Sequence, residues 1–330
     1  MREATVQIIK NVEAIENADM LEQATVLGWK VVVKKGEFKI GDKCVFVELD
    51  SLLPEKPEFE FLRNKKFRIK TVRLRGALSQ GIIFPLSILP SKEYDLYEES
   101  EDVSEIIGVT HYEKPIPVNL RGQVKGNFPP YIPKTDEPRI QNYPNILDEF
   151  MGVDCYISVK CDGTSATFSM KDGDFNVCSR NLAYKETDEI IYWKIAKKYN
   201  IEKILSLYKN YAIQGEICGP GIQKNRLGLK DYELLVFDLW DIDNQEYLDF
   251  EEMMFFCRLN GLKTVPIEEV IAFNFTFDKL LEKAKGKYEG TSNRREGIVI
   301  RPLMGRYSRT LKRRLSIKAL NNEYLEKDEE

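Results

Sequence analysis

Tyr156-Ile157-Ser158-Val159-Lys160-Cys161-Asp162-Gly163-Thr164-Ser165 is an apolar run that closes on a lysine and then meets an Asp-Gly turn. The run predicts a strand over Tyr156–Lys160. The turn sends the chain back as a second strand over Ala166–Met170, so the stretch points to an antiparallel sheet. A lysine at that strand end is placed to act as a nucleophile, and the chain offers few rivals for covalent chemistry. His111 is the one histidine, and no Cys-x-x-Cys pair occurs, which sets aside imidazole triads and zinc clusters. A lysine nucleophile must first lose its proton. With an ordinary pKa of ~10.4, only about 0.1% is neutral near pH 7.5, and lowering that pKa by two units costs roughly 2.7 kcal/mol. Burial beside Ile157 and Val159, nearby cations or a bound metal can supply that cost. Asp162 can hold a divalent cation directly or through water. By itself the pattern is weak: Lys-x-Asp-Gly arises by chance in about one in ten chains of this length. The bland alternative is a hairpin turn, and Lys171-Asp172-Gly173 predicts just such a type I′ turn.

Outward from this stretch, strands are predicted over Tyr211–Cys218, Tyr232–Trp240, Glu296–Arg301 and Leu315–Ala319. Helices are predicted over Thr187–Tyr199, with Ile191, Ile195 and Tyr199 at four-residue spacing, and from Asp249 to near Gly261, opened by Asp249 and Glu252 as N-cap and N3. The apolar faces of both helices read as packing. The first ~115 residues read as β, with runs at Ala4–Ile9, Ala24–Val33, Lys43–Leu49, Phe67–Leu74 and Gly81–Leu86. Five short strands suit a small OB-like barrel. Residues 116–145 are rich in Pro, Asn and Gly and read as a linker, so the expected domains are 1–115, the linker 116–145, and 146–330. The fold class is α+β: an OB-like β-barrel followed by an antiparallel-sheet domain.

At 330 residues the chain can hold two domains. Its 43% hydrophobic and 31% charged content is that of a globular protein. No apolar run reaches a membrane span and no signal-peptide segment opens the chain, so no membrane partner is expected. The six cysteines lack disulfide or metal spacing, which suits a reducing, cytoplasmic setting. The net charge of −4 does not announce a nucleic-acid binder, but its distribution is uneven. Seven basic residues and no acidic ones lie between Arg63 and Arg75, and nine basic residues against the single acid Glu296 lie between Arg294 and Lys318. Such runs are either polyanion-binding faces or plain solvated surface. Within the first, Arg68, Lys70, Arg73 and Arg75 alternate with apolar residues and are the candidate polyanion-docking cations. Oligomeric state is not legible; a monomer is the expectation.

Further short motifs follow in a fixed order, and with them the chain resembles the covalent nucleotidyltransferases, the ligases and mRNA capping enzymes. Lys160-Cys161-Asp162-Gly163 is similar to their motif I, and Ser179-Arg180-Asn181 to the motif after it. Gln214-Gly215-Glu216 resembles motif III, Val236-Phe237-Asp238 motif IIIa, Arg295-Glu296-Gly297-Ile298-Val299-Ile300 motif IV, and Ser316-Ile317-Lys318 motif V. Within that superfamily it looks most like ATP-dependent RNA ligases of the branch whose OB module precedes the catalytic domain. The segment Ile132–Asn142 is also similar to that branch. Twelve residues follow Lys318, too few for the C-terminal domains of DNA ligases, capping enzymes or phage-type RNA ligases. The chain departs from the family at Ser316, where many relatives carry lysine; either Lys312 or Arg314 substitutes for it, or one phosphate contact is missing.

The resemblance implies ATP as substrate, Mg²⁺ or Mn²⁺ as cofactor, and RNA with 3′-hydroxyl and 5′-phosphate ends as partner. By it, Lys160 attacks the α-phosphate of ATP and carries AMP, and Lys318 neutralises the developing charge. Asp162, Glu216 and Glu296 would hold the metal through its waters. Val159, Cys161, Asn181 and Phe237 would line the nucleotide site, with Phe237 stacked on adenine. Glu216 would add a ribose contact, Arg180 a contact to nucleotide or RNA 5′-phosphate, and Arg139 a contact to the outer phosphates. Simpler readings stand beside these: Phe237 as core, Arg180 and Arg139 as surface charges, Glu216 as a strand-end acid, Lys318 as a generic strand cation, and His111 as a loop residue without function. Two rival functions also remain: a DNA ligase or guanylyltransferase, and an RNA-binding module on an inactive nucleotidyltransferase fold.

Overall fold

The computed structural model describes residues 2–90, 94–113 and 122–327. Their contacts divide into two compact units. The first gathers the described residues of Met1–Pro115 with Gln141–Pro144 and the chain end from Leu325; the second holds those of Ile116–Ile140 and Asn145–Tyr324. The expected boundary at 115/116 lies outside the described residues, as does Pro117 of the linker.

The first unit contains β1 (Ala4–Ala14), β2 (Leu21–Val26), β3 (Trp29–Lys34), β4 (Lys43–Val47), β5 (Ser51–Leu52), β6 (Val72–Leu74), β7 (Ala77–Ser79), β8 (Ile82–Pro85) and β9 (Thr110–His111). Five of these form one sheet in the order β3-β2-β1-β4-β8. Strand β1 pairs with β4 over Ala4–Ile8 and with β2 from Ile9 onward, with a bulge between Ile9 and Asn11. A bulge bends a strand, which lets one long strand serve both halves of a curling sheet. Ile9, Trp29, Phe46, Leu53 and Phe59 fill the interior.

Two expected strands are corrected here. The run Ala24–Val33 breaks into a hairpin at Leu27-Gly28, where Leu27 is left-handed (φ 52°) and Val26 pairs with Trp29. An apolar residue in the turn hid it from the pattern. Phe67–Leu74 is not one strand. A 3₁₀ helix over Pro57–Lys65 ends in left-handed Lys66 and Phe67, which turns the Phe67 ring into the core, and only Val72–Leu74 is strand. His111 is also not a loop residue: it pairs with Ser51 in β9, and its Nδ1 lies 3.1 Å from Glu3 Oε1.

The second unit is built on two sheets. The larger has eight strands: β10 (Val124–Asn127), β14 (Leu182–Tyr184), β13 (Asp174–Cys178), β12 (Thr164–Lys171), β15 (Tyr211–Cys218), β16 (Glu233–Asp241) and β17 (Glu246–Tyr247) in that order, with β18 (Lys263–Thr264) parallel to β16. The smaller runs β19 (Ile267–Ala272), β11 (Asp154–Lys160), β20 (Gly297–Pro302), β23 (Ile317–Leu320), all antiparallel. The β12–β13 turn has Asp172 and Gly173 at φ 51° and 86°, as its sequence predicts. The longer internal helices of this unit are α1 (Ile191–Lys198), α2 (Ile201–Ser206), α3 (Phe250–Leu259) and α4 (Phe277–Ala284). Helix α1 starts later than the periodicity suggests, because Ile190 is still extended. Helix α3 opens with the expected Asp249/Glu252 capping box, worth about 1 kcal/mol.

Alternation along β11 separates two interiors. Tyr156 packs into a core with Phe168, Trp193 and Ile213, whereas Ile157 joins Phe150, Phe273, Ile298, Ile300 and Ile317 on the opposite face. Burying each such side chain stabilises by about 1.5–3 kcal/mol, so this parity is fixed. It places Tyr156, Ser158 and Lys160 on the face that looks toward the larger sheet.

Candidate active site

Cross-strand register brings the charged residues together. Lys160 stands opposite Gly297, Lys318 opposite Val299, and Glu216 opposite Ser165. Glu296 immediately precedes Gly297, and its Oε1 lies 2.9 Å from Lys160 Nζ. Two glycines permit this closeness. A Cβ at Gly297 (φ 153°) would sit 2.2 Å from the Ala319 carbonyl oxygen, and one at Gly163 would sit 2.4 Å from that of Ile217. Any larger residue must push strands apart.

The cluster perturbs its own proton affinities. Burial works to lower the Lys160 pKa, but Glu296 and Glu216 outweigh it and hold the ammonium charged. Glu216 is pushed up to about 8 by burial and by Glu296 and Asp162, against the pull of Lys160. Asp162 is raised by burial and Glu296, with Arg226 and Tyr324 opposing. Lys318 is lowered to about 7 by burial and by Lys160 and Arg139. Lys160, Asp162, Glu216, Glu296, Arg139 and Lys318 therefore form one coupled group.

Among the described residues no three His, Cys, Asp or Glu side chains converge as direct metal ligands. Asp162 is instead engaged by Arg226, whose Nη1 lies 2.7 Å from Oδ2 and whose guanidinium rests 4.4 Å from the Tyr324 ring centre. Three carboxylates gathered around Lys160, without a direct cage, fit a hydrated cation held through its waters.

The remaining candidates spread around this group. Asp136 Oδ1 accepts from Arg180 Nη2 at 2.6 Å, and Asn181 Oδ1 accepts from Lys134 Nζ at 2.8 Å. Arg139 bridges to the Lys318 backbone, and the Lys318 amide donates to the Pro138 carbonyl. Phe237 is half-buried, with the Arg301 guanidinium 5.7 Å from its ring centre. The Cys161 side chain packs in a small cluster with Cys218, Leu235 and Val265, and the Val159 amide donates to the Pro266 carbonyl.

Ser316 is buried and accepts from Arg301 Nε at 3.1 Å. Arg301 also reaches Glu137 at 2.7 Å and Asp238 at 3.2 Å, and Arg314 reaches Asp238 at 2.5 Å. Burial would raise the Glu137 pKa, but Arg301 holds it down to about 2. The expected substitution of Arg314 for a phosphate-binding lysine is corrected accordingly. Its charge is spent on Asp238, and Ser316 completes a neutral buried network. Lys312 lies in the exposed turn between β21 (Tyr307–Ser308) and β22 (Arg313–Arg314), at φ 53°.

The first unit's cations separate into two kinds. Arg68 pairs with Asp50 at 2.6 Å and stacks 4.0 Å from the Tyr112 ring centre, so it braces the fold and does not present a free charge. Arg73 and Arg75 are exposed, Arg73 pairing with Glu326 at 2.5 Å, and Lys70 is half-buried.

Arg226, Tyr288, Arg301 and Glu137 were not expected at the site. Tyr288 donates to the Lys160 carbonyl at 2.9 Å, and its oxygen accepts from the Glu296 amide at 3.1 Å. Arg301 closes an expected strand that begins at Glu296, and Glu137 lies in the family-like segment Ile132–Asn142. Arg226 and Tyr288 reach the site from loops far from Lys160 in sequence.

A two-sheet unit with a carboxylate-paired lysine at a strand end, in one chain with a five-stranded OB-like half-barrel unit, is the arrangement that the resemblance to the nucleotidyltransferases implies. Comparison with known proteins narrows this. An OB-fold domain model matches residues 3–86, and an RNA ligase model matches residues 153–320. The chain is similar to an apo mutant of Naegleria gruberi RNA ligase at 35% identity and TM-score 0.90, covering 99% of this chain and 98% of that one. It matches a mutant of the same ligase with ATP and Mn at 35% identity and TM-score 0.90 over 100% of both chains. It also matches that ligase with PPi at 35% identity and TM-score 0.89, covering 99% of this chain and 98% of that one. No curated protein sequence matches it. The chain belongs to the RNA ligase family. No helix among the described residues is long and apolar enough to cross a membrane.

Proposed function

We propose that this chain is an ATP-dependent RNA ligase that joins 3′-hydroxyl and 5′-phosphate ends through lysyl-AMP and adenylylated-RNA intermediates. The observation that carries this is the 2.9 Å pairing of Lys160 Nζ with Glu296, within a cluster that also holds Glu216 and Lys318. Similarity to a ligase solved with ATP and Mn, and with PPi, supports the choice of substrate and product.

Lys160 Nζ attacks the α-phosphorus of ATP; a P–N bond forms, the P–O bond to the β-phosphate breaks, and pyrophosphate leaves. Glu296 is positioned to accept the departing lysine proton. Lys318 neutralises charge developing on the α-phosphate, Phe237 stacks on adenine, Glu216 contacts the ribose, and Arg139 and Arg180 engage phosphates. A bound Mg²⁺ or Mn²⁺, held through its waters by Asp162, Glu216 and Glu296, would supply positive charge that favours neutral Lys160. An RNA 5′-phosphate oxygen then attacks the adenylyl phosphorus and releases Lys160. Finally the RNA 3′-hydroxyl attacks the 5′-phosphorus and AMP departs. The exposed cations of the OB unit dock RNA. The free, buried cysteines fit a reducing compartment, and a cytoplasmic monomer is the expected form.

The test is incubation with Mg²⁺ and α-labelled ATP or GTP, followed by denaturation. Label from ATP should stay on the wild-type protein and vanish in Lys160→Ala. A wild type that takes no label points to an inactive RNA-binding fold; label from GTP alone points to a guanylyltransferase.

A further inference from the structure

Outside the family-like motifs, the loop between α4 and β20 sends one side chain back to the nucleophile. Tyr288 is 5% exposed, and its single phenolic oxygen makes two hydrogen bonds. It donates to the backbone carbonyl of Lys160 and accepts from the backbone amide of Glu296. These two residues are also the partners of the 2.9 Å side-chain pair, and they sit where the β11–β20 ladder ends at Lys160/Gly297. Beyond that rung no strand pairing fixes their separation; the phenol takes its place. The loop is itself held. The Tyr288 amide donates to Asn293, the Thr291 hydroxyl donates to the Tyr288 carbonyl, and the Arg295 amide donates to Gly286. Arg295 in turn spends its guanidinium on Glu268 and on the Ala284, Lys283 and Lys285 carbonyls at the end of α4. Glu296 is thus anchored on one side by Tyr288 and on the other by the Asn321 amide, which donates to its carbonyl.

We propose that Tyr288 is a positioning residue for the adenylylation step: its hydroxyl sets the spacing between the Lys160 and Glu296 backbones and so the alignment of the attacking amine. The proposal rests on reading Lys160 as the nucleophile. Tyr288 touches no reacting atom and acts through Lys160 and Glu296. Small displacements of a nucleophile are costly, a 1 Å error costing up to ~100-fold in rate.

The experiment compares wild type, Tyr288→Phe and Lys160→Ala as full chains. Phenylalanine keeps the ring and removes one oxygen. The maximal rate of AMP transfer from ATP to the protein should fall about tenfold or more. The ATP concentration for half-maximal rate, and the joining of pre-adenylylated RNA, should stay within about threefold of wild type, as expected when alignment and not binding is lost. Thermal unfolding of each protein accompanies the rates. An unchanged adenylylation rate overturns the proposal. So does a proportionate loss of both steps, or a variant recovered unfolded, since each marks Tyr288 as a structural brace only. Wild type that takes no label from ATP, with Lys160→Ala identical, instead sinks the reading of Lys160 on which the proposal stands.

Discussion

Glu216 carries a conflict between folding and chemistry. Its pKa rises from 4.5 in the unfolded chain to about 8 in the folded one, so folding favours the protonated form. Stability from this group is complete below about pH 4.5 and is lost as pH climbs through 8. Replacing it with a permanently neutral isostere removes that loss. Glu216→Gln should therefore melt higher than wild type at pH 8.5 without ligand, by about 2 kcal/mol, while retaining less than about 1% of the self-labelling rate. Thermal scans at pH 5 and pH 8.5 check the sign, because the gain should shrink at the lower pH. Lys318 behaves in the opposite sense: a pKa near 7 leaves it charged below neutrality and uncharged above. Nucleotide affinity, measured on the wild type with an ATP analogue whose α,β-bridge cannot be cleaved so that Lys160 stays in place, should weaken by up to about tenfold between pH 6 and pH 8. Arginine at 318 should flatten the profile. At Ser316, introducing the lysine that the family resemblance implies should not help. The site is buried beside Arg301 and Arg314, and Ser316→Lys should cost about 3 kcal/mol in denaturant unfolding through an unpaired buried charge.

Strands rather than helices fix the chemistry, and their legibility follows from their surroundings. Tyr211–Cys218 was readable to the residue because both of its neighbours are long central strands, so the apolar run and the hydrogen-bonded run coincide. Phe67–Leu74 was not, because Phe67 reaches the core through a left-handed backbone and not through strand alternation. Sequence reading places Lys160 correctly at a strand end. It does not show that Glu296 and Gly297 lie across from it; that follows from register between β11 and β20, which local pattern does not encode. Gly163→Ala tests how tightly this arrangement is drawn. Its Cβ would meet the Ile217 carbonyl at 2.4 Å and the Cys218 Sγ at 2.8 Å, both on β15. The turn must lift away, carrying Lys160 from Glu216, and self-labelling should drop about 100-fold while unfolding shows a cost of about 1–3 kcal/mol. Full activity in that variant would mean the turn has slack that the packing denies.

At the scale of the whole molecule, the two units place different demands on charge, and the sequence blurred them by presenting one basic run from Arg63 to Arg75. Arg63 is paired with Glu60, and Arg68 is held between Asp50 and Tyr112, so part of that run is spent inside its own unit. Of the four candidate docking cations, Arg73 and Arg75 are exposed and Lys70 is half-buried. If the OB unit docks RNA, its contribution is electrostatic and should report itself as counterion release. Replacing Lys70, Arg73 and Arg75 with glutamine should leave self-labelling with ATP within about twofold of wild type, because that step needs no RNA. Sealing should weaken by about tenfold at 150 mM salt, and the slope of log affinity against log salt should fall by up to about two to three units for three lost phosphate contacts. Arg68→Gln should do the reverse, lowering the unfolding midpoint by about 1–2 kcal/mol while leaving the salt slope near wild type. Equal losses of labelling and sealing in the triple variant would remove the OB unit from RNA docking and return its basic run to ordinary solvated surface.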